Sequence, residues 1–319
     1  ALWMEQGELT LVETPAPDCP GDCVVRVTLA GICGTDLHMR RGYADYTGIP
    51  GHEFVGVVEQ VPVPAQRHWL GQRVVGDINI GCGTCGPCSR GAKTHCEKRD
   101  VLGIRRRHGA FAEYLTLPAA NLHPVPDAVD DRAAVFTEPV AAACRILEQI
   151  DLGPSRTVAI LGDGRMGLLV AQVLATTGAP VVLWGRHDAR LTLARSLGLD
   201  ARLTAAGPLP AAERFDVVVE VTGRADGLER ALGCVRPLGT VVMKTTAHEA
   251  PAMATWPIVV HEVTIVGSRC GPFLPALEKL ASGAVLTGPL IEGVFGLEDF
   301  DRAFAAAEHG LKVLFDCAR

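Results

Sequence analysis

The chain of 319 residues lacks any apolar run long enough, at ~18–20 residues, to span a bilayer. Its most apolar stretch, 158–175, is broken by Gly162, Asp163, Gly164 and Arg165. It also lacks a positive balance. Thirty Lys and Arg stand against 36 Asp and Glu, a net charge of −6, which removes the electrostatic case for a nucleic-acid partner. The short run Arg105-Arg106-Arg107-His108 reads as a solvated turn. Residues 1–8 contain no basic region followed by an apolar core, so no secretory leader is expected, and the reducing cytoplasm is the expected location. Internal repeats and low-complexity linkers are missing too. What remains is an ordinary globular composition, 48% hydrophobic and 21% charged, long enough for two domains with a sizeable core.

Cysteine is where the composition becomes specific. Cys82, Cys85, Cys88 and Cys96 follow the spacing Cys-x2-Cys-x2-Cys-x7-Cys inside one loop with glycines at 81, 83, 86 and 91. Zinc takes four thiolates in a tetrahedron, so its ligands must converge from a short stretch that can turn back on itself. The loop 81–97 therefore reads as a closed structural zinc site, preferred over disulfides or free thiols.

The first third has β-branched segments at 24–29, 54–58, 73–75 and 111–117 between Gly, Pro and Asp, which predicts an irregular, mostly β domain. From about residue 140 the rhythm changes. Helical patterns at 140–150, 166–176, 188–197 and 227–235 alternate with apolar strands at 158–161, 181–184, 217–221 and 240–243. That alternation predicts a doubly wound parallel sheet. Helices at 275–282 and 297–309 and a strand at 312–315 follow, and the tail is expected to pack on the first domain.

Gly162-Asp163-Gly164-Arg165-Met166-Gly167 is Gly-x-Gly-x-x-Gly after a strand and opening a helix. In that setting Gly162 makes the turn, Gly164 lets a pyrophosphate approach the backbone and Gly167 lets the helix close on the sheet. Arg165, Met166 and Thr222, which follows a later strand, are expected to share in cofactor binding. The second strand ends Trp184-Gly185-Arg186-His187, where an NAD site would carry a carboxylate. A glycine removes the repelling charge and Arg186 can pair with a 2′-phosphate, so NADP is expected over NAD.

A second constellation is dispersed. Gly31-Ile32-Cys33-Gly34-Thr35-Asp36-Leu37-His38 is followed by Gly51-His52-Glu53, and later by Phe136-Thr137-Glu138-Pro139. Cys, His and Glu form a mixed ligand set for a zinc that keeps an open position. Singly each has a plain reading as a core cysteine, a core histidine or a surface acid.

Taken together, these motifs resemble the zinc-containing medium-chain alcohol dehydrogenase superfamily along nearly the whole chain. Glu138-Pro139 and Ala143-Cys144-Arg145 are similar to its sorbitol and glucose dehydrogenase branch. The resemblance implies an α/β protein with a GroES-like, mostly β catalytic domain (1–138), a Rossmann domain (139–270) and a return to the catalytic domain (271–319). It implies two zinc ions per chain, one structural and one catalytic, the latter on Cys33 and His52 with Glu53 and Glu138 as its carboxylate ligands, either of them direct or through water. Thr35 and His38 match a proton relay, and Lys312 matches a cation near the cofactor phosphates. The expected activity is reversible hydride transfer between an alcohol and NAD(P), with a polyol or sugar-like substrate first and a simple secondary alcohol second. A homodimer or homotetramer is expected. The alternative is a non-catalytic protein that keeps the fold and binds NADP and zinc.

Overall fold

The change of rhythm near residue 140 is a change of architecture. The computed structural model describes residues 1–18, 21–43, 45–204, 214–246 and 253–318. It divides the chain into two compact units, Ala1–Glu138 with Thr287–Arg319, and Pro139–Leu286.

The first unit is built on a seven-stranded sheet. Its central strand Cys23–Gly31 buries Val24, Val25, Val27 and Ala30, and pairs antiparallel with Glu53–Gln60, with Tyr114–Leu117 and with Lys312–Asp316. The C-terminal strand Lys312–Asp316 thus lies beside the N-terminal part of the chain, and Ile291–Gly296 runs parallel to it. Phe111, Phe304 and Phe315 are fully buried, with the rings of Phe111 and Phe315 edge to face at 5.0 Å. The register sets Gly31 opposite Glu53, so the segment leaving one strand at Cys33 meets the segment entering the other at His52.

The second unit is a six-stranded sheet, every pair parallel, in the spatial order Asp200–Leu203, Val181–Gly185, Val158–Leu161, Phe215–Glu220, Val235–Met243, Thr264–Gly267. Numbered along the chain this is 3-2-1-4-5-6, the doubly wound order that binds a dinucleotide where the winding reverses. Val158–Leu161 is buried at every residue, as expected for a strand covered on both faces by helices. The edge strands Asp200–Leu203 and Thr264–Gly267 escaped the sequence reading. Each has only one neighbour and stays largely exposed, so neither carries a continuous apolar run.

One expected boundary is corrected. The chain re-enters the first unit at Thr287, not at 271. The helix Phe273–Ala281 buries Phe273, Ala276, Leu277 and Leu280 in the second unit. The following turn is pinned to the helix Arg165–Ala175: the Gln172 side chain accepts from Leu286 N at 2.7 Å and donates to its carbonyl at 3.2 Å. At the start of the segment, a Cβ on Gly271 would stand 1.8 Å from the Ala141 carbonyl oxygen, so the backbone there is in direct contact with the helix Thr137–Gln149.

Candidate metal and cofactor sites

Cys33 caps the short helix Gly34–Arg40, and its backbone N–H donates to Asp36 Oδ2 at 2.7 Å. That bond turns the other carboxylate oxygen of Asp36 towards His52, with Oδ1 3.6 Å from the ring Nδ1. Both side chains are buried, and neither of these two atoms has a hydrogen-bond partner. Burial disfavours a charged imidazole, but Asp36 and Cys33 outweigh it and hold the His52 pKa well above the usual histidine range. Donor atoms of Cys33, His52 and Glu53 all lie within 4.8 Å of one another. A buried, electron-rich set of S, N and O donors with an orphaned Asp36 oxygen behind the imidazole fits a zinc whose histidine is oriented by an outer carboxylate.

Glu53 is itself buried, and its carboxylate meets the ammonium of Lys312. Gly31 makes room for this pair, since a Cβ there would be 2.7 Å from Glu53 Oε2 and 3.3 Å from Lys312 Nζ. The expectation that Lys312 approaches the cofactor phosphates is corrected by this placement. Lys312 is 1% exposed, and its amine is engaged by Glu53 and by the Ile32 carbonyl at 3.4 Å, with the Phe136 ring 5.4 Å away. A buried carboxylate needs a counter-charge, and Lys312 supplies it.

Glu138 stands in the first turn of the helix Thr137–Gln149, outside the three-residue cluster. Burial, reinforced by Glu53 and opposed by His52 and Lys312, pushes its carboxyl up to about 7. Thr35 and His38 lie three residues apart on the helix Gly34–Arg40 and so share a face. Thr35 Oγ1 is 3.8 Å from Cys33 Sγ, and the His38 ring meets Tyr43 edge to face.

The four-cysteine loop forms a second cluster in the same unit. The sulfurs of Cys82, Cys85, Cys88 and Cys96 lie within 4.8 Å of one another, with Cys85 and Cys96 at 3.7 Å. A tetrahedron with Zn–S bonds of about 2.3 Å separates its sulfurs by about 3.8 Å, so the donor set fits. Gly83 and Gly91 both take positive φ, +75° each, which bends the loop around the sulfurs. Hydrogen bonds from Thr84 lead in lowering the Cys82 thiol to about 6, while burial leads in raising the neighbouring Cys88 thiol to about 11.

In the second unit the glycine loop leaves the strand Val158–Leu161 and opens the helix Arg165–Ala175. Gly162 has φ +124°, and a Cβ on Gly167 would stand 1.9 Å from the Gly162 carbonyl oxygen. Nothing lies within 4 Å of the Cβ position of Gly164, so its backbone is open to a ligand. A cavity lies over this loop, lined by Gly162, Gly164, Gly185, Arg186 and Thr222 among the expected residues. Arg165, Met166 and Gly167 are not in its lining. Asp163, Arg190, Arg224 and Arg230 are, and the sequence reading missed all four. Asp163 was visible inside the glycine pattern; the arginines come from separate helices and turns and carry no local signal.

Two sequence families match the chain. The alcohol dehydrogenase GroES-like domain covers residues 19–127, and the zinc-binding dehydrogenase family covers 166–282. The chain belongs to the zinc-containing medium-chain alcohol dehydrogenases. The L-threonine 3-dehydrogenase of Streptomyces avermitilis is 34% identical over 99% of this chain and 98% of its own. The D-arabinitol dehydrogenase 1 of Uromyces fabae is 30% identical over 95% and 92%. An alcohol dehydrogenase of Escherichia coli CFT073, solved with NADH, superposes with a TM-score of 0.91 at 30% identity, covering 99% of this chain and 98% of that one. A zinc-binding dehydrogenase of Sinorhizobium meliloti 1021, solved with NADP, gives 0.89 at 30% identity over 99% and 98%. This dehydrogenase is an oxidoreductase that transfers hydride reversibly between an alcohol and NAD(P), with a GroES-like first unit and a Rossmann second unit. Among the described residues no helix is long and apolar enough to cross a membrane.

Proposed function

We propose that this dehydrogenase oxidises a small polyol or related secondary alcohol with NADP in preference to NAD, and that it holds two zinc ions. The observation that carries the reading is the convergence of Cys33, His52 and Glu53 donors within 4.8 Å, backed by the buried Asp36. A zinc bound there supplies a Lewis acid for the alcohol oxygen. Cys33 and His52 would hold it, and Glu53, whose charge Lys312 meets, or Glu138 would supply a further ligand. Thr35 would relay the proton of the substrate hydroxyl, giving up its own as it takes it, and the cofactor ribose and His38 would carry the proton on towards solvent. Cys82, Cys85, Cys88 and Cys96 hold the second zinc, which supports folding.

The substrate class follows from what the relatives share. Arabinitol, altritol and erythritol dehydrogenases and threonine 3-dehydrogenases all act on a carbinol with a polar neighbour. The nucleotide preference rests on the absence of a carboxylate side chain at Gly185 and on Arg186, Arg190 and Arg230 around the cavity. A 2′-phosphate finds guanidinium partners there, at about 1.5–3 kcal/mol for each hydrogen bond to a charged group. Cytoplasmic location fits thiols arranged for a metal. Assembly into a homodimer or homotetramer is part of the same reading.

The test is a panel of polyols, simple secondary alcohols and the matching carbonyls, offered with NADPH and with NADH and followed at the nicotinamide absorbance, alongside a zinc count. Two zinc ions per chain and turnover of a vicinal diol with NADP are expected. One zinc per chain, or equal dissociation constants for NADPH and NADH, removes the corresponding half of the proposal.

A further inference from the structure

Asp163 stands between the first two glycines of the loop, a position the pattern leaves open, yet it is only 5% exposed. Its carboxylate turns back onto the end of the neighbouring strand Val181–Gly185. Oδ2 accepts from the backbone N–H of Arg186 at 2.8 Å and of His187 at 2.7 Å, and the His187 ring Nδ1 lies 3.0 Å from Oδ1. Burial opposes the charge, but these donors outweigh it and hold the carboxyl below the usual aspartate range.

The same carboxylate occupies space that belongs to residue 185. A Cβ built on Gly185 would stand 2.3 Å from Asp163 Cβ and 2.4 Å from Oδ2. The strand end cannot easily shift to make room, because the Gly185 carbonyl accepts from Thr204 N at 2.7 Å and from Thr204 Oγ1 at 2.9 Å. In doubly wound folds a strand-end carboxylate at this point binds the adenosine ribose hydroxyls. Here a carboxylate from the glycine loop fills that volume, with Oδ2 taken by the two peptide donors of the turn and Oδ1 facing the His187 ring.

We propose that Asp163 is a specificity-determining positioning residue: it fills the strand-end side-chain space and pins the turn from Gly185 to His187, so that positions 163 and 185 choose the nucleotide as a coupled pair. The proposal rests on reading the cavity as the adenosine-ribose pocket with Arg186 facing the 2′-phosphate, and not on which nucleotide binds more tightly overall. Two consequences follow. A carboxylate cannot be installed at 185 while Asp163 remains. Removing Asp163 frees the turn that carries Arg186 and weakens the phosphate-bearing nucleotide most.

The experiment measures dissociation constants for NADPH and NADH, together with Tm, for the full-length protein and five variants: Asp163→Ala, Asp163→Asn, Gly185→Ala, Gly185→Asp, and Asp163→Ala combined with Gly185→Asp. Gly185→Asp alone is expected to lower Tm and weaken both nucleotides by at least about ten-fold, or ~1.4 kcal/mol. The combined variant recovers Tm and binds NADH at least about ten-fold more tightly than Gly185→Asp alone, while NADPH stays weak, since the new carboxylate faces its phosphate. Asp163→Ala costs NADPH about ten-fold and NADH clearly less, and Asp163→Asn, which keeps an acceptor for the two N–H groups, restores most of that loss. Should Gly185→Asp fail to fold, Gly185→Ala completes the same cycle with one methyl group. Additive effects of the 163 and 185 changes on Tm and on both dissociation constants overturn the proposal, as does an equal loss of both nucleotides in Asp163→Ala. Equal NADPH and NADH affinities in the unmodified protein count against the NADP preference alone, and the coupling between 163 and 185 is still read from the cycle.

Discussion

The two metal-fitting clusters of the first unit are built in opposite ways. Cys82, Cys85, Cys88 and Cys96 come from one loop, and three of the four are only half buried. Cys33, His52 and Glu53 come from the ends of two paired strands, with His52 and Glu53 buried, and are backed by Asp36 and Lys312. The first set closes a tetrahedron with sulfur alone and leaves no position for a substrate. The second mixes S, N and O donors and leaves its geometry to the surrounding sheet. A site made by a loop can be read from its spacing; a site made by a sheet depends on the fold, and on the reading proposed above the first supports folding and the second the chemistry.

The sharpest way to break this contrast is to remove one ligand from each cluster. Cys33→Ala should lower turnover by at least about a thousand-fold, ~4 kcal/mol in barrier. It should also remove one zinc while leaving Tm and nucleotide affinity in the Rossmann unit nearly unchanged. Full activity in this variant, by initial-rate assay, would sink the catalytic assignment. Cys85→Ser should do the reverse. Structural zinc contributes folding free energy directly, ~10–16 kcal/mol in small peptides, and losing one of four thiolates should cost about 3 kcal/mol of that. Calorimetry and zinc counting check it: a lower Tm is expected, with the second zinc retained in whatever stays folded.

Asp36→Asn sharpens the comparison from inside the buried cluster. Asparagine keeps an oxygen to accept from Cys33 N but removes the charge facing His52. Zinc affinity should fall ten- to a hundred-fold, ~1.4–2.7 kcal/mol, as is typical when the outer partner of a ligating histidine is lost. Competition with a chelator reads it, and no change would remove Asp36 from the site. The structural cluster has no such carboxylate behind it in the hydrogen bonds described, so its zinc should be unaffected in the same titration.

The smallest effect lies in the second unit, away from both clusters. Asp216 accepts from Thr157 N and Thr157 Oγ1, each at 2.7 Å, and pairs with Arg236 at 2.5 Å. Burial raises its pKa, but these partners prevail and hold it below the usual 3.8. A native value below the unfolded one stabilises at neutral pH. That contribution, on the order of 1 kcal/mol, is lost as pH falls below the usual aspartate value and through the native one. Asp216→Asn should flatten this part of the stability–pH curve measured by denaturant titration. A curve of unchanged slope would show that the hydrogen bonds do not distinguish the two charge states.

Legibility followed sequence distance. The helix Arg165–Ala175 and the strand Val158–Leu161 were readable because an apolar run, three glycines and a helical period are local signals. The edge strands Asp200–Leu203 and Thr264–Gly267 were not, since half-exposed strands need no apolar run. Lys312 was expected at the phosphates from the family resemblance, and nothing local in the sequence signals its burial; only the pairing of Lys312–Asp316 with Cys23–Gly31 places it on Glu53.

By itself the sequence determined the zinc-fitting loop, the glycine turn, the alternation of the second unit and the family to which these motifs belong, because each depends on residues within about thirty positions of one another in an α/β unit. Tertiary structure alone decided that the donor atoms of Glu53 gather with those of Cys33 and His52, that residues 271–286 stay with the second unit, and that Asp163 fills the space above Gly185. Those three depend on strand register, helix packing and the volume of single side chains, and such distances are set by the folded chain as a whole.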